Sequence, residues 1–186
     1  KNFINKKEMN FKKNIKPHIL LLTTGGTITM VRDVKTGSLV PARSSDELIG
    51  HFPEVKNIAQ ITKKEVMNID STNIQLEHWQ KIARAIYSSY NEYDGFVITH
   101  GTDTLAYTAS ALSFMLQNLN KPVIMTGSQM PLGEVGSDAR NNFINSFIAA
   151  TKDIHEIAVL FGEKIIRGTR AKKISAFHLN AFESVN

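Results

Sequence analysis

Gly95-Phe96-Val97-Ile98-Thr99-His100-Gly101-Thr102-Asp103-Thr104 is the stretch on which the fold reading turns. Its first half is continuously apolar up to a closing threonine, the pattern of a strand covered on both faces rather than the alternation of a half-exposed one. The second half is small or polar and opens a helical pattern. Leu105, Ala109, Leu112, Met115, Leu116 and Leu119 mark that helix, and Asn120-Lys121-Pro122 ends it. Strand, short loop, helix is one step of an alternating α/β chain.

The same step recurs on either side. Apolar runs at His18–Thr23, 122–126 and 156–161 read as further buried strands. Leu76, Trp79, Ile82, Ala83, Ile86 and Tyr90 recur at helical spacing, with Thr72 and Gln75 offering a capping-box start. Phe143, Ile144, Phe147 and Ile148 mark another helix, with Ser137 or Asp138 placed to cap it. The chain is therefore expected to form a doubly wound, mostly parallel sheet with helices on both faces, a three-layer α/β fold. In such sheets a ligand lies beyond the carboxyl ends of the strands, and three of the strands end in Thr23, Thr99 and Thr126. Residues 31–50 read as an irregular, mobile loop, and residues 167–186 show no strong periodicity.

The net charge of +5 belongs to one end. Residues 1–16 hold six lysines and one glutamate, and residues 17–186 balance at sixteen basic and sixteen acidic groups. Basicity confined to a tail gives little support to nucleic-acid binding. We expect 1–16 to be a disordered basic tail and 17–186 a single domain. The absence of cysteine excludes disulfides and thiolate metal sites. No apolar run has the length of a membrane span, and Ile19-Leu20-Leu21-Leu22 runs straight into Thr-Thr-Gly-Gly as a strand does, so no signal sequence is read there. A soluble cytoplasmic protein without membrane contact is the expectation. Six scattered histidines show no metal-ligand spacing, so no metal is expected.

Thr24-Gly25-Gly26-Thr27 follows the first strand. Its glycines permit backbone angles closed to other residues, and a hydroxyl just after them could attack an acyl carbon while nearby N–H groups hold the oxyanion. A tight turn explains the same residues, and a phosphate loop would need the lysine that is missing here. At the second motif, Asp103 pairs with a substrate ammonium or merely caps the helix, as Thr104 could. His100 is a candidate base, although a histidine at a strand end is more often structural. Asp70-Ser71-Thr72 precedes a helix whose free N–H groups suit a carboxylate, or is a plain cap.

Together these residues resemble one family. The loop Thr23-Thr24-Gly25-Gly26-Thr27-Ile28 and the segment 94–104 are similar to the two signatures of bacterial-type L-asparaginases. Residues 106–116, 121–124, 126–129 and Arg167-Gly168-Thr169-Arg170 resemble the cytoplasmic, type I branch in particular. The resemblance implies a hydrolase converting L-asparagine to L-aspartate and ammonia through a threonine nucleophile and an acyl-enzyme, without cofactor, as a homo-oligomer (dimer or tetramer) in the full-length protein. It implies Thr27 as nucleophile, and Thr102, Asp103 and Lys173 as the second catalytic group, with Lys172 the competitor for the lysine role. It implies Asp70, Ser71, Thr72, Thr102 and Asp103 as substrate-binding residues, Ser71 and Thr72 on the α-carboxylate and Asp103 on the α-amino group. A lysine kept neutral by partial burial beside Thr102 would relay protons. Glutamine as substrate, the ammonia-releasing subunit of a glutamyl-tRNA amidotransferase, and a non-catalytic amino-acid-binding module are the alternatives.

Two departures stand against the family pattern. The family carries a tyrosine in the loop after the first threonine, where Gly37-Ser38-Leu39-Val40-Pro41 has none and Leu39 stands in its place. Family members also continue into a smaller second domain that these 186 residues do not include. The expectation is a complete N-terminal fold with an incomplete working site.

Overall fold

Leu20 and Leu22 face one side of the strand His18–Thr23, Ile19 and Leu21 face the other, and all four are buried. That double burial is what the continuous apolar run demands, because a strand flanked by helices on both faces has no solvent side. The computed structural model describes residues 16–32, 36–41 and 45–186. Along it run β1 (His18–Thr23), β2 (Met30–Arg32), β3 (Leu39–Pro41), α1 (Ser45–Gly50), α2 (Val55–Ile58), β4 (Gln60–Glu65) and α3 (Leu76–Ser89). Then come β5 (Gly95–Thr99), α4 (Leu105–Met115), β6 (Val123–Thr126), α5 (Ala139–Ala150), β7 (Ile157–Phe161), β8 (Lys164–Arg167), β9 (Ala171–Lys173) and β10 (Phe182–Ser184).

The main sheet has the order β4-β1-β5-β6-β7-β8, parallel throughout except for the antiparallel edge strand β8. Two small antiparallel pairs, β2 with β3 and β9 with β10, lie outside it. Numbered along the chain, its parallel strands run 2-1-3-4-5, and the direction of winding reverses between β1 and β5. One core layer packs Leu20, Leu22, Phe96, Ile98, Val123 and Val159 against α3 and α4 through Ile82, Ile86, Leu105, Ala109 and Leu112. The opposite layer packs Ile19, Leu21, Val97, Ile124 and Leu160 against α1, α2 and α5 through Leu48, Val55, Phe143 and Phe147. The three-layer architecture is thus the one expected from the sequence.

Several details differ from the sequence reading. The two strands expected to begin at 122 and 156 begin at Val123 and Ile157. Helix α4 ends at Met115, short of the expected stop, because Leu116 leaves helical angles at φ -114 and ψ 87, and the chain then turns through Asn118 at φ 58. Leu116 and Leu119 still pack on the core from the connection. Gln75, not Thr72, stands at the N-cap of α3, and its N–H donates to His78 Nδ1 at 2.9 Å. Between 31 and 50 the chain forms the β2–β3 pair and α1 rather than a wholly irregular loop. Strand β4 reads Gln-Ile-Thr-Lys-Lys-Glu and has no apolar signature, since it pairs on one side only and stays half exposed. Of the basic tail, Lys16 is exposed and reaches the Lys56 carbonyl at 2.6 Å, and the remainder lies outside the described residues.

Candidate active site

The reversal between β1 and β5 opens the crevice at their carboxyl ends, where a doubly wound sheet binds its ligand. Loops after β1, β4 and β5 meet there and are laced together by backbone bonds. Thr23 O accepts from Val66 N at 3.0 Å, and Thr24 O accepts from Ile69 N at 3.1 Å, so the chain leaving β4 runs beside the end of β1. Thr24 binds the end of β5 twice, its N–H and its hydroxyl donating to Thr99 O at 3.2 and 2.8 Å. The Thr104 hydroxyl donates to Ser71 O at 2.7 Å and ties the third loop to the second.

Such close stitching explains Gly26. It holds φ 89, and a Cβ there would sit 2.4 Å from Gly101 N. Both the backbone angle and the contact require glycine.

The loops enclose an open cavity of about 300 Å³ lined by Thr27, Asp70, Ser71, Thr102 and Asp103, together with Gly26, Thr29, Met30, Asn68, Ile69 and Gly101. Five of the residues singled out from sequence are therefore gathered around one cavity. Lys173, far along the chain on β9, reaches this cluster: its Nζ donates to Thr102 Oγ1 at 2.8 Å and to Asp103 Oδ1 at 2.7 Å. Its side chain is 18% exposed, whereas Lys172, alternating to the other face of β9, is exposed. A larger cavity of about 600 Å³ lies on the far side of the Asp103–Lys173 pair, against Tyr107, Thr169 and Ser175. Thr27, Ser71 and Thr102 line only the smaller one.

Thr27 opens a short 3-10 turn held by Thr29, whose hydroxyl donates to Gly26 O at 2.8 Å. Among the described residues nothing bonds the Thr27 hydroxyl, the Ser71 hydroxyl or the Thr102 N–H, so all three are free to meet a ligand. Asp70 is more occupied than the sequence suggested. Its carboxylate accepts from both the N–H and the hydroxyl of Thr72 at 2.8 Å. It caps the turn Ser71–Asn73, and the Thr72 N–H bond holds its pKa below the usual carboxylate value. Thr72 is exposed and is not among the residues lining the cavity. A side chain at Leu39 is outside what the structure describes.

His100 stands behind the site, not in it. It has no solvent exposure, and desolvation holds its pKa down at about 4 against a smaller opposing effect of its bond to Gly101 O. Its Nδ1 is 2.7 Å from Gly101 O, and its Nε2 is 3.0 Å from Thr108 Oγ1. Both nitrogens are thus occupied, which removes it as a base. Asn68 and Met30 line the cavity without any sequence signal; they are brought in by the path of the loops. Among the described residues no group of three or more His, Asp or Glu could hold a metal ion, and no helix is long and apolar enough to cross a membrane.

Comparison with known proteins supplies the family. The model of the asparaginase N-terminal domain matches residues 18–186. The L-asparaginase of Thermococcus kodakarensis is 44% identical over 168 residues, 90% of this chain and 51% of that protein. Its solved structure superimposes with a TM-score of 0.84, covering 91% of this chain and 51% of that one. L-asparaginase 1 of Escherichia coli K12 is 44% identical over 92% of this chain and 52% of its own length. A glutamyl-tRNA(Gln) amidotransferase subunit from Pyrococcus horikoshii is 41% identical over 97% of this chain and 44% of its own length. This chain therefore spans about half the length of the relatives it matches. With a matched domain covering nearly all of its described residues and a superimposable fold, the chain belongs to the asparaginase family as its N-terminal domain.

Proposed function

We propose that this domain carries the amidase site of a type I L-asparaginase, hydrolysing L-asparagine to L-aspartate and ammonia. The observation that carries the reading is that Thr102 and Asp103, both bonded by Lys173, share one small cavity with the free hydroxyl of Thr27.

In the first half-reaction Thr27 Oγ1 bonds to the side-chain amide carbon, and the carbonyl electrons move onto its oxygen. The Thr102 N–H is the donor available to that oxyanion. Collapse breaks the carbon–nitrogen bond. The leaving nitrogen already carries two protons and gains a third, matching the one lost from Thr27, so ammonia departs and an ester remains. Water then adds to the ester carbon, the Thr27–carbon bond breaks, and aspartate leaves. Lys173 and Thr102 form the hydrogen-bonded route by which protons move to and from that water. Asp103 faces the substrate ammonium and Ser71 the α-carboxylate end, while Thr72, outside the cavity lining, serves there only as the partner that holds Asp70.

The cytoplasm, the setting of the type I branch, is the proposed location, as in the probable cytoplasmic L-asparaginase of Campylobacter jejuni, which is 31% identical. In the full-length protein a second domain follows, and the working assembly is a homo-oligomer. Glutamine is the competing substrate, because the amidotransferase relatives match nearly the whole chain and one methylene is worth only about 1–3 kcal/mol of discrimination.

The deciding measurement is ammonia release by the full-length protein with each amide. Thr27→Ala should abolish turnover. Lys173→Met should lower kcat by about 10²–10⁴-fold, the range of a lost proton-transfer group, and Lys172→Met should leave it unchanged. Normal turnover in Thr27→Ala would sink the assignment, and faster release from glutamine would move the substrate.

A further inference from the structure

Beneath the catalytic loop a chain of hydrogen bonds, partly buried at Trp79 and fully buried at His100, runs through three elements. Trp79 Nε1, on α3, donates to Thr108 Oγ1 on α4 at 2.9 Å. The Thr108 hydroxyl in turn lies 3.0 Å from His100 Nε2. The other ring nitrogen faces a carbonyl, Gly101 O at 2.7 Å, which can only accept. Nδ1 therefore carries the proton of the neutral ring, Nε2 keeps its lone pair, and the Thr108 hydroxyl donates to it, so that every bond points toward Gly101.

That carbonyl belongs to the peptide joining Gly101 to Thr102. A trans peptide is planar, and its N–H points opposite to its C=O. Holding Gly101 O toward the buried ring thus turns the Thr102 N–H the other way, away from the core. We propose that His100 is the positioning residue of this site, anchored through Thr108 to Trp79 and fixing by one hydrogen bond the peptide whose N–H serves the reaction. Burial supports the role, since a ring kept neutral retains a lone pair at Nε2 for Thr108. The inference rests on the amidase reading.

Two substitutions of the same residue separate positioning from packing. An asparagine amide overlays Nδ1 and can still donate to Gly101 O; a glutamine amide overlays Nε2 and cannot. In the full-length enzyme with L-asparagine, His100→Gln should lower kcat about tenfold with little change in KM, as for a hydrogen bond strengthened only in the transition state. His100→Asn should stay within about threefold of the parent. Thr108→Val, which removes the anchor and keeps the ring, should lower kcat as well, and it decides the matter if the His100 variants do not fold. Equal loss in both His100 variants, no loss in either, or a Thr108→Val enzyme with a lower melting temperature but unchanged kcat would overturn the proposal. ¹⁵N shifts of the imidazole give an answer independent of turnover: an Nε2–H tautomer overturns it. An inactive wild type with the Nδ1–H tautomer overturns the amidase reading and, with it, the catalytic use of this peptide, whereas an active wild type with the wrong tautomer overturns the positioning alone.

Discussion

A histidine without solvent contact and with both nitrogens bonded is accommodated only as the neutral ring, which gives His100 a second consequence besides loop geometry. Its folded pKa of about 4 lies below the 6.5 of an unfolded chain. Between those values the unfolded state binds the extra proton, so stability rises with pH from about 4 to 6.5 and is full above that. The whole effect is of order 3 kcal/mol, from 1.36 kcal/mol per pKa unit. Denaturant melts at pH 7.5, 5.5 and 4.5 should show this loss, and His100→Asn should flatten it. Lys173 teaches a different lesson at this scale. Two adjacent lysines look alike in the sequence, and strand alternation alone sends Lys173 to Thr102 while Lys172 stays in solvent. Thr27, Thr102, Asp103, Asp70 and Ser71 were legible as candidates because each stands in a short motif at an element end. Asn68 carries no such mark.

At the level of elements, the strongest signals were the long apolar strands, whose burial on both faces leaves little freedom in reading them. The elements without a clear signature, β4, β8 and the short pairs, lie at edges, where one exposed side admits lysine, threonine and glutamate. Yet β4 delivers Asp70 and Ser71 to the site, so an edge strand with a weak signature does as much to build the cavity as a core one. The loop after β1 makes the sharpest test. Gly26→Ala combines φ 89 with a Cβ 2.4 Å from the Gly101 backbone, which has no flexible end to move. Gly133→Ala has the same φ and nothing within 4 Å. We expect the second to cost about 1–2 kcal/mol, the left-handed penalty alone, and the first clearly more, with loss of ammonia release. Equal melting temperatures for the two would show that the loops are not in register as described.

For the whole molecule, winding order is what turns scattered motifs into a site. Because β5 crosses to the far side of β1 from β4, three loops separated by up to about eighty residues converge on one crevice, and a lysine on β9 closes it. Binding there should stabilise the fold by RT ln(1 + [L]/Kd), about 2.7 kcal/mol at a hundredfold excess over Kd. In the full-length protein, L-aspartate should therefore raise the melting temperature of Thr27→Ala as it does the parent's, while ammonia release is lost in the variant alone. Failure of both proteins to respond would argue against this crevice as the ligand site. From the sequence alone came the alternation of strands and helices, the buried strand positions and the motif threonines, because periodicity and local turn chemistry are written in neighbouring residues. Only the tertiary structure decided which lysine pairs with Thr102, that His100 is held behind the loop, and that Thr72 stays outside the cavity. Those depend on contacts across up to seventy-one positions in the chain, for which adjacent residues hold no record.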